Sequence, residues 1–239
     1  MTQEFYLLSI IPNQQTRLKL QALRQRLFQK HGLASALAFE PVIPVAWFEI
    51  PVDSGRYAHF STGPGGLDNT VAKSTVKAAP QLPVAPRIEF GDPNLWDGHL
   101  YISVVVQPEN LLQKLINAAG QAPVSAIPVS AAPIAEKGVT SIPEAGAPPI
   151  PAAEGIILAA NEQEIANGGK PEAGHREQAN LLQTAAYQIE GLTQYFPADR
   201  SLKSTRIGVY SLRFSSKSRQ WWKHVEWTLE WKIQLKRAE

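Results

Sequence analysis

The stretch from Phe5 to Gly32, FYLLSIIPNQQTRLKLQALRQRLFQKHG, constrains the fold more than any other part of the chain. From Phe5 to Ile11 nearly every residue is apolar, which suits a short strand covered on both faces, and Pro12 ends it. Asn13 can cap the amides that follow. Leu20, Leu23 and Leu27 then recur at helical spacing, with Lys, Arg and Gln on the opposite side. Gly32 supplies the helix stop. The unit reads as strand, cap, helix and stop.

Beyond it, Leu33 to Ile50 is apolar and punctuated by Pro41 and Pro44, and its best strand is VAWFEI, Val45 to Ile50. Pro51 to Pro86 turns to Gly, Ser, Thr, Pro and Lys, the composition of a long surface loop. A hairpin follows: Arg87 to Phe90, the turn-forming GDPNLWDG from Gly91 to Gly98, and HLYISVVV from His99 to Val106. Pro108 opens a helix with Leu111, Leu112, Leu115 and Ile116 on one face, ending near Gly120. Gln121 to Ala160 is rich in Ala and Pro, with Pro123, Pro128, Pro133, Pro143, Pro148, Pro149 and Pro151 spaced so as to forbid a helix. It reads as an extended linker or insertion. Arg176 to Ile189 allows another helix through Leu181, Leu182, Ala185 and Ile189. Thr205 to Phe214 is a strand. The last strand has Val225, Trp227, Leu229, Trp231, Ile233 and Leu235 alternating without a fault against polar residues, one face on the core. The expected class is α+β.

The 239 residues contain no cysteine, which excludes disulfides, thiol catalysis and Cys-ligated metal. No stretch approaches the roughly 18 apolar residues of a membrane span, and MTQEFYLL does not read as a leader, so the sequence predicts a soluble, cytoplasmic protein with no membrane contact. A net charge of +2 conceals an asymmetry: residues 200–239 hold ten Lys and Arg against three acids, whereas residues 121–199 hold three against nine. A basic C-terminal segment suits a phosphate-bearing partner.

Few motifs carry chemistry. His59-Phe60-Ser61 is a lone H-x-S triplet, so His59 and Ser61 are catalytic candidates, and His224 at the start of the last strand is a third. His31, at a helix C-terminus, suits the helix dipole, and no histidine spacing points to a metal. In GPGGLDNTVAKST, Gly66 and Lys73 are too far apart for a phosphate-cradling loop. Trp227 and Trp231 read as core, whereas Trp222, beside Lys223, is a candidate for stacking on a base.

The opening FYLLSIIPNQQTRLKLQALRQRLFQKHG, the Pro-flanked strand after it, and HLYISVVV followed by the leucine-rich helix near residue 110 together resemble the 2H phosphoesterase superfamily. That superfamily includes the 2'-5' RNA ligase-like proteins and cyclic nucleotide phosphodiesterases. The resemblance implies two ferredoxin-like lobes in a bilobal 2H-type fold: residues 1–120 as the first, with the loop 51–86, residues 121–174 as an Ala/Pro-rich linker or insertion, and residues 175–239 as the second lobe, completing the fold. It also implies metal-free chemistry without a cofactor, in which one H-x-[T/S] imidazole from each lobe takes or gives a proton across a shared groove. The first motif is expected in the strand after Pro44, where Val45, Ala46 and Trp47 stand. The second is expected between Arg206 and Arg213, where there is no histidine.

The resemblance therefore implies a catalytically degenerate relative. It would bind an RNA end, a nucleotide or another phosphorylated ligand in its groove through Arg206, Arg213, Trp47 and Trp222. Two readings stand beside it: an active cyclic phosphodiesterase using His59 and Ser61, and an interaction protein that meets a partner through residues 121–160.

Overall fold

The computed structural model describes residues 2–60, 86–96, 99–108, 110–126, 155–160, 162, 181–186, 201–203, 206–215 and 221–235. In chain order the strands are β1 (Thr2–Ile11), β2 (Ile43–Phe48), β3 (Arg87–Trp96), β4 (His99–Gln107), β5 (Ser125–Ala126), β6 (Gly155–Ala159), β7 (Ser201–Lys203), β8 (Arg206–Ser215) and β9 (Glu226–Gln234). The helices are α1 (Gln14–His31) and α2 (Asn110–Ala119), and residues 181–186 are also helical.

The strands form two antiparallel sheets, ordered β5-β2-β1-β8-β9 and β6-β4-β3-β7. The class is α+β. The apolar run at the start of the chain becomes the centre of the first sheet, with β2 on one side and β8 on the other. Asn13 caps α1 by accepting from the Thr16 amide at 2.9 Å, and Gly32 closes it at φ 70° with its amide on the Phe28 carbonyl. Leu20, Leu23 and Leu27 join a core cluster that also holds Leu8 and Ile10 of β1, Ile88 of β3, Leu100 of β4 and Leu115 of α2. Burying each such leucine is worth about 1.5–3 kcal/mol. One core therefore runs through both sheets.

The sheets do not divide the chain at residues 121–174. β8 and β9 hydrogen-bond into the sheet of β1 and β2, and β6 and β7 complete the sheet of β3 and β4. Residues 206–234 thus do not make a lobe separate from the N-terminus. Gly155–Ala159 is a strand buried at all five positions, where a linker was expected; its apolar GIILA overrides the proline-rich text around it. Most of the remaining insertion, residues 127–154, lies outside the described residues.

Three boundaries also differ from the reading of the sequence. β2 begins at Ile43 and takes in Pro44, because a register shift in its pairing with β1 between Leu8 and Ser9 accommodates a residue that cannot donate to the ladder. Gly91 to Trp96 is strand and not turn. β3 continues past an irregularity at Phe90 to Pro93, and Gly91 sits so close to β4 that a Cβ there would meet the Ser103 side chain. The loop after β2 begins as a 3-10 turn, Ser54–Phe60.

A difference within the last strand matters most for the surface. β9 is not one alternating strand, because its pairing with β8 slips by one residue: Trp231 faces Val209, but Leu229 faces Tyr210. Directly opposed residues point to the same side of a sheet, and Val209 and Tyr210 point to opposite sides. Glu230 is the extra residue. Trp227 and Leu229 consequently share a face with Leu212 and Tyr210, while Trp231 and Ile233 share the other with Val209 and Ile207. Trp227 duly packs edge-on against Tyr210, and Trp231 packs against Tyr57 of the 3-10 turn.

Candidate cationic shelf beside the start of the first helix

The expected ligand residues do not converge. Trp47 is fully buried, packed edge-on against Phe5 in the core, and Trp222 is buried as well, with Lys223 as its ring neighbour. Neither presents an open ring for a base to stack on. Arg206 and Arg213 stand seven residues apart on β8, so they lie about 23 Å apart and on opposite faces. One phosphate cannot touch both. His224 is exposed at the end of the 3-10 turn Trp221–His224. The backbone of His59 falls on the 3-10 turn Ser54–Phe60, and Ser61 lies outside the described residues. Among the described residues no group of His, Asp and Glu is placed to hold a metal ion.

The Arg213 end is anionic. Arg213 Nε donates to Glu4 Oε1 at 2.8 Å, Glu226 stands opposite it on β9, and the Ser211 hydroxyl donates to Glu230. The hydrogen bond and charge of Glu4 hold the Arg213 guanidinium above its ordinary range. Burial raises the Tyr6 phenol on the same face, with Glu4 and Glu230 adding to the effect. With Glu4 bonded to the guanidinium, Glu226 acting on it and Glu230 held on the neighbouring Ser211, this end disfavours a phosphate.

The Arg206 end meets a lysine and a glutamine of β9. On the face set by Tyr210, β9 contributes Lys232 opposite Gly208 and Gln234 opposite Arg206, and Arg206 Nε donates to Gln234 Oε1 at 3.3 Å. Ile11 pairs with Arg206 from the other side, so the chain leaves β1 there and enters α1 through Pro12 and Asn13. The first turn of α1 has no acidic residue, and its amide end adds partial positive charge.

Arg17 from the same helix lies within electrostatic reach of Tyr210. Burial raises that phenol, Arg17 lowers it, and Glu40 raises it again. Further along the shelf, the Trp227 indole N–H donates to the Ala38 carbonyl at 2.8 Å, which fixes the half-buried ring next to Leu229, 39% exposed. Among the described residues, Arg206, Lys232 and Arg17, with Glu40 and the anchored Trp227, thus lie along this side of the sheet, Trp227 about 20 Å along β8 from Arg206.

Behind the shelf lies Arg24, which reading the sequence missed. It is 2% exposed and donates to the carbonyls of Phe39, Glu40 and Ile157, which ties α1 to the segment before β2 and to β6 of the other sheet. Burial lowers its pKa to about 9, opposed by Glu40, so the guanidinium stays charged at neutral pH. A signal was present: Arg24 falls between Leu20 and Leu27 on the apolar side of α1.

On the other face of β9 a second set of anchors fixes the 3-10 turn. Tyr57 donates its hydroxyl to the Leu115 carbonyl at 2.8 Å, Arg56 reaches the Ala119 carbonyl at 3.1 Å, and the Trp231 indole donates to the Val52 carbonyl at 2.7 Å. No described helix is long and apolar enough to cross a membrane. In comparisons with known proteins, no family model and no curated protein matches this chain.

Proposed function

We propose that this protein binds a phosphate-bearing ligand, an RNA end or a nucleotide, on the shelf of Arg206, Lys232, Arg17 and Trp227, and that it does so in a 2H-like architecture without the two-imidazole reaction. The observation that carries the reading is that the exposed Arg206 and Lys232 share one face of β8 and β9 with an anchored aromatic ring, Trp227, which stands about 20 Å along β8 from Arg206, a span of several nucleotides of a single strand. Phosphate oxygens answer the cations and the amide end of the helix, and a base answers the indole. Two further observations favour binding over hydrolysis. β2, where the first imidazole is expected, is buried at all six positions, and β8, where the second is expected, carries Tyr210 and Ser211 but no histidine.

The test is binding of a labelled short single-stranded RNA with a terminal phosphate, followed by fluorescence anisotropy across a salt series. Replacing Arg206 and Lys232 together with Gln should weaken binding and flatten the dependence of log K on log salt by about 0.7 for each cation–phosphate pair removed. Replacing Arg213 should leave both unchanged. Absence of salt-sensitive binding at low ionic strength, or indifference to the double substitution, would refute the reading.

A further inference from the structure

The shelf has an anion in place already. Arg17 Nη2 meets Glu40 Oε2 at 3.2 Å, and both side chains are partly open to solvent, 40% and 34% exposed. Glu40 is not on a free loop. Its own carbonyl and that of Phe39 accept from the buried Arg24, and Ala38, two residues earlier, holds the Trp227 indole. The segment that orients the aromatic ring therefore also fixes the backbone that carries the carboxylate. A carboxylate and a phosphate compete for the same guanidinium fork, so one must leave before the other can dock.

We propose that Glu40 sets the anion affinity and selectivity of this shelf. Its carboxylate occupies Arg17, and a ligand phosphate engages Arg17 only by displacing it. Arg206 and Lys232 then make the first contact, and a ligand with a single weak charge fails to open the Arg17 pair. This inference rests on the binding reading above and adds to it the residue that tunes the site.

The experiment uses the full chain and the same RNA probe. Glu40→Gln keeps the shape and removes the competing charge. It should tighten binding about fivefold, the scale set by a partly exposed ion pair, and should steepen the salt dependence by about 0.7, the increment for one further phosphate neutralised. Arg17→Gln alone should weaken binding and flatten the salt dependence, because the phosphate loses the guanidinium it engages and the Glu40 carboxylate is left uncompensated beside it. In the Glu40→Gln background the same change should abolish the gain.

Thermal melts of each variant check that the fold is retained, and Arg17→Gln keeps the proposal testable should Glu40→Gln melt early. If Glu40→Gln binds no tighter while the Arg206 and Lys232 pair still matters, the role of Glu40 falls and the binding reading stands. An Arg17→Gln variant that binds like the wild type shows that the phosphate never engages Arg17 and overturns it in the same way. If the wild type does not bind the probe at all, the binding reading falls and this inference with it.

Discussion

Replacing Arg24 with Met tests the link between the helix and the two sheets directly. The substitution keeps an unbranched side chain of similar length in the buried channel but removes the donors to Phe39, Glu40 and Ile157. The hydrogen bonds to Phe39 and Ile157 are fully buried, so those two carbonyls lose the guanidinium donor with no access to bulk water. An orphaned buried acceptor costs about 1–3 kcal/mol, which sets the gross loss at roughly 2–6 kcal/mol. Against it stands the relief of a desolvated charge, the same effect that lowers the Arg24 pKa to about 9. The net expectation is a loss of about 3 kcal/mol, equivalent to roughly 6–12 °C in melting temperature for a chain of this size. Urea denaturation and calorimetry both measure it. Arg24→Lys should recover little, because one ammonium cannot span carbonyls that a planar fork reaches. A Met variant within about 0.5 kcal/mol of wild type would show that the carbonyls have other partners and that the clasp contributes no stability.

Two further expectations concern the frame that holds the shelf. Tyr57→Phe removes the hydroxyl that donates to the Leu115 carbonyl and should cost about 1 kcal/mol at neutral pH. Burial holds the folded Tyr57 phenol above its unfolded value near 10, so its contribution is complete below about pH 10 and is lost as pH rises toward the folded value. The gap between wild type and variant in urea midpoint should therefore narrow above about pH 10, and effects common to both proteins, Arg24 included, cancel in the difference. A gap that stays constant to high pH would sink the assignment. Gly155→Ala drives a Cβ into the Ile102 carbonyl, which is backbone and cannot yield, so β6 must shift from β4 at about 1–3 kcal/mol. A melting temperature equal to wild type would show that the edge strand slides freely.

How much of this was legible follows from how local each signal is. β1, α1 and α2 are written in caps, stops and apolar spacing within a dozen residues, and Asn13, Gly32 and the Leu111–Ile116 face are found where those signals put them. β6 was hidden because seven prolines nearby dominate the composition, although GIILA is itself a buried-strand run. Strand order was out of reach: nothing in residues 2–11 says that their neighbour is residues 206–215, some 200 positions away. The same distance explains the ligand residues. Arg206 and Arg213 look alike in sequence, and the carboxylates that β1 and β9 bring to Arg213 emerge only in the fold.

The shelf itself depends on one inserted residue. Under unbroken alternation Trp227, Leu229, Trp231 and Ile233 would all point one way and Lys232 the other, so no aromatic ring of β9 would share a face with its lysine. The slip at Glu230 reverses the second half of the strand relative to the first, which leaves Trp227 and Lys232 on one side and sends Trp231 to the other. Its carboxylate accepts from Ser211, so the extra residue is anchored to β8 on the side away from the shelf. Bulges at sheet edges also discourage pairing with another strand, and β9 is an edge strand of its sheet. The same local irregularity that blunts this edge also puts cation and ring on one face, so the most regular pattern in the sequence was the one that concealed the site.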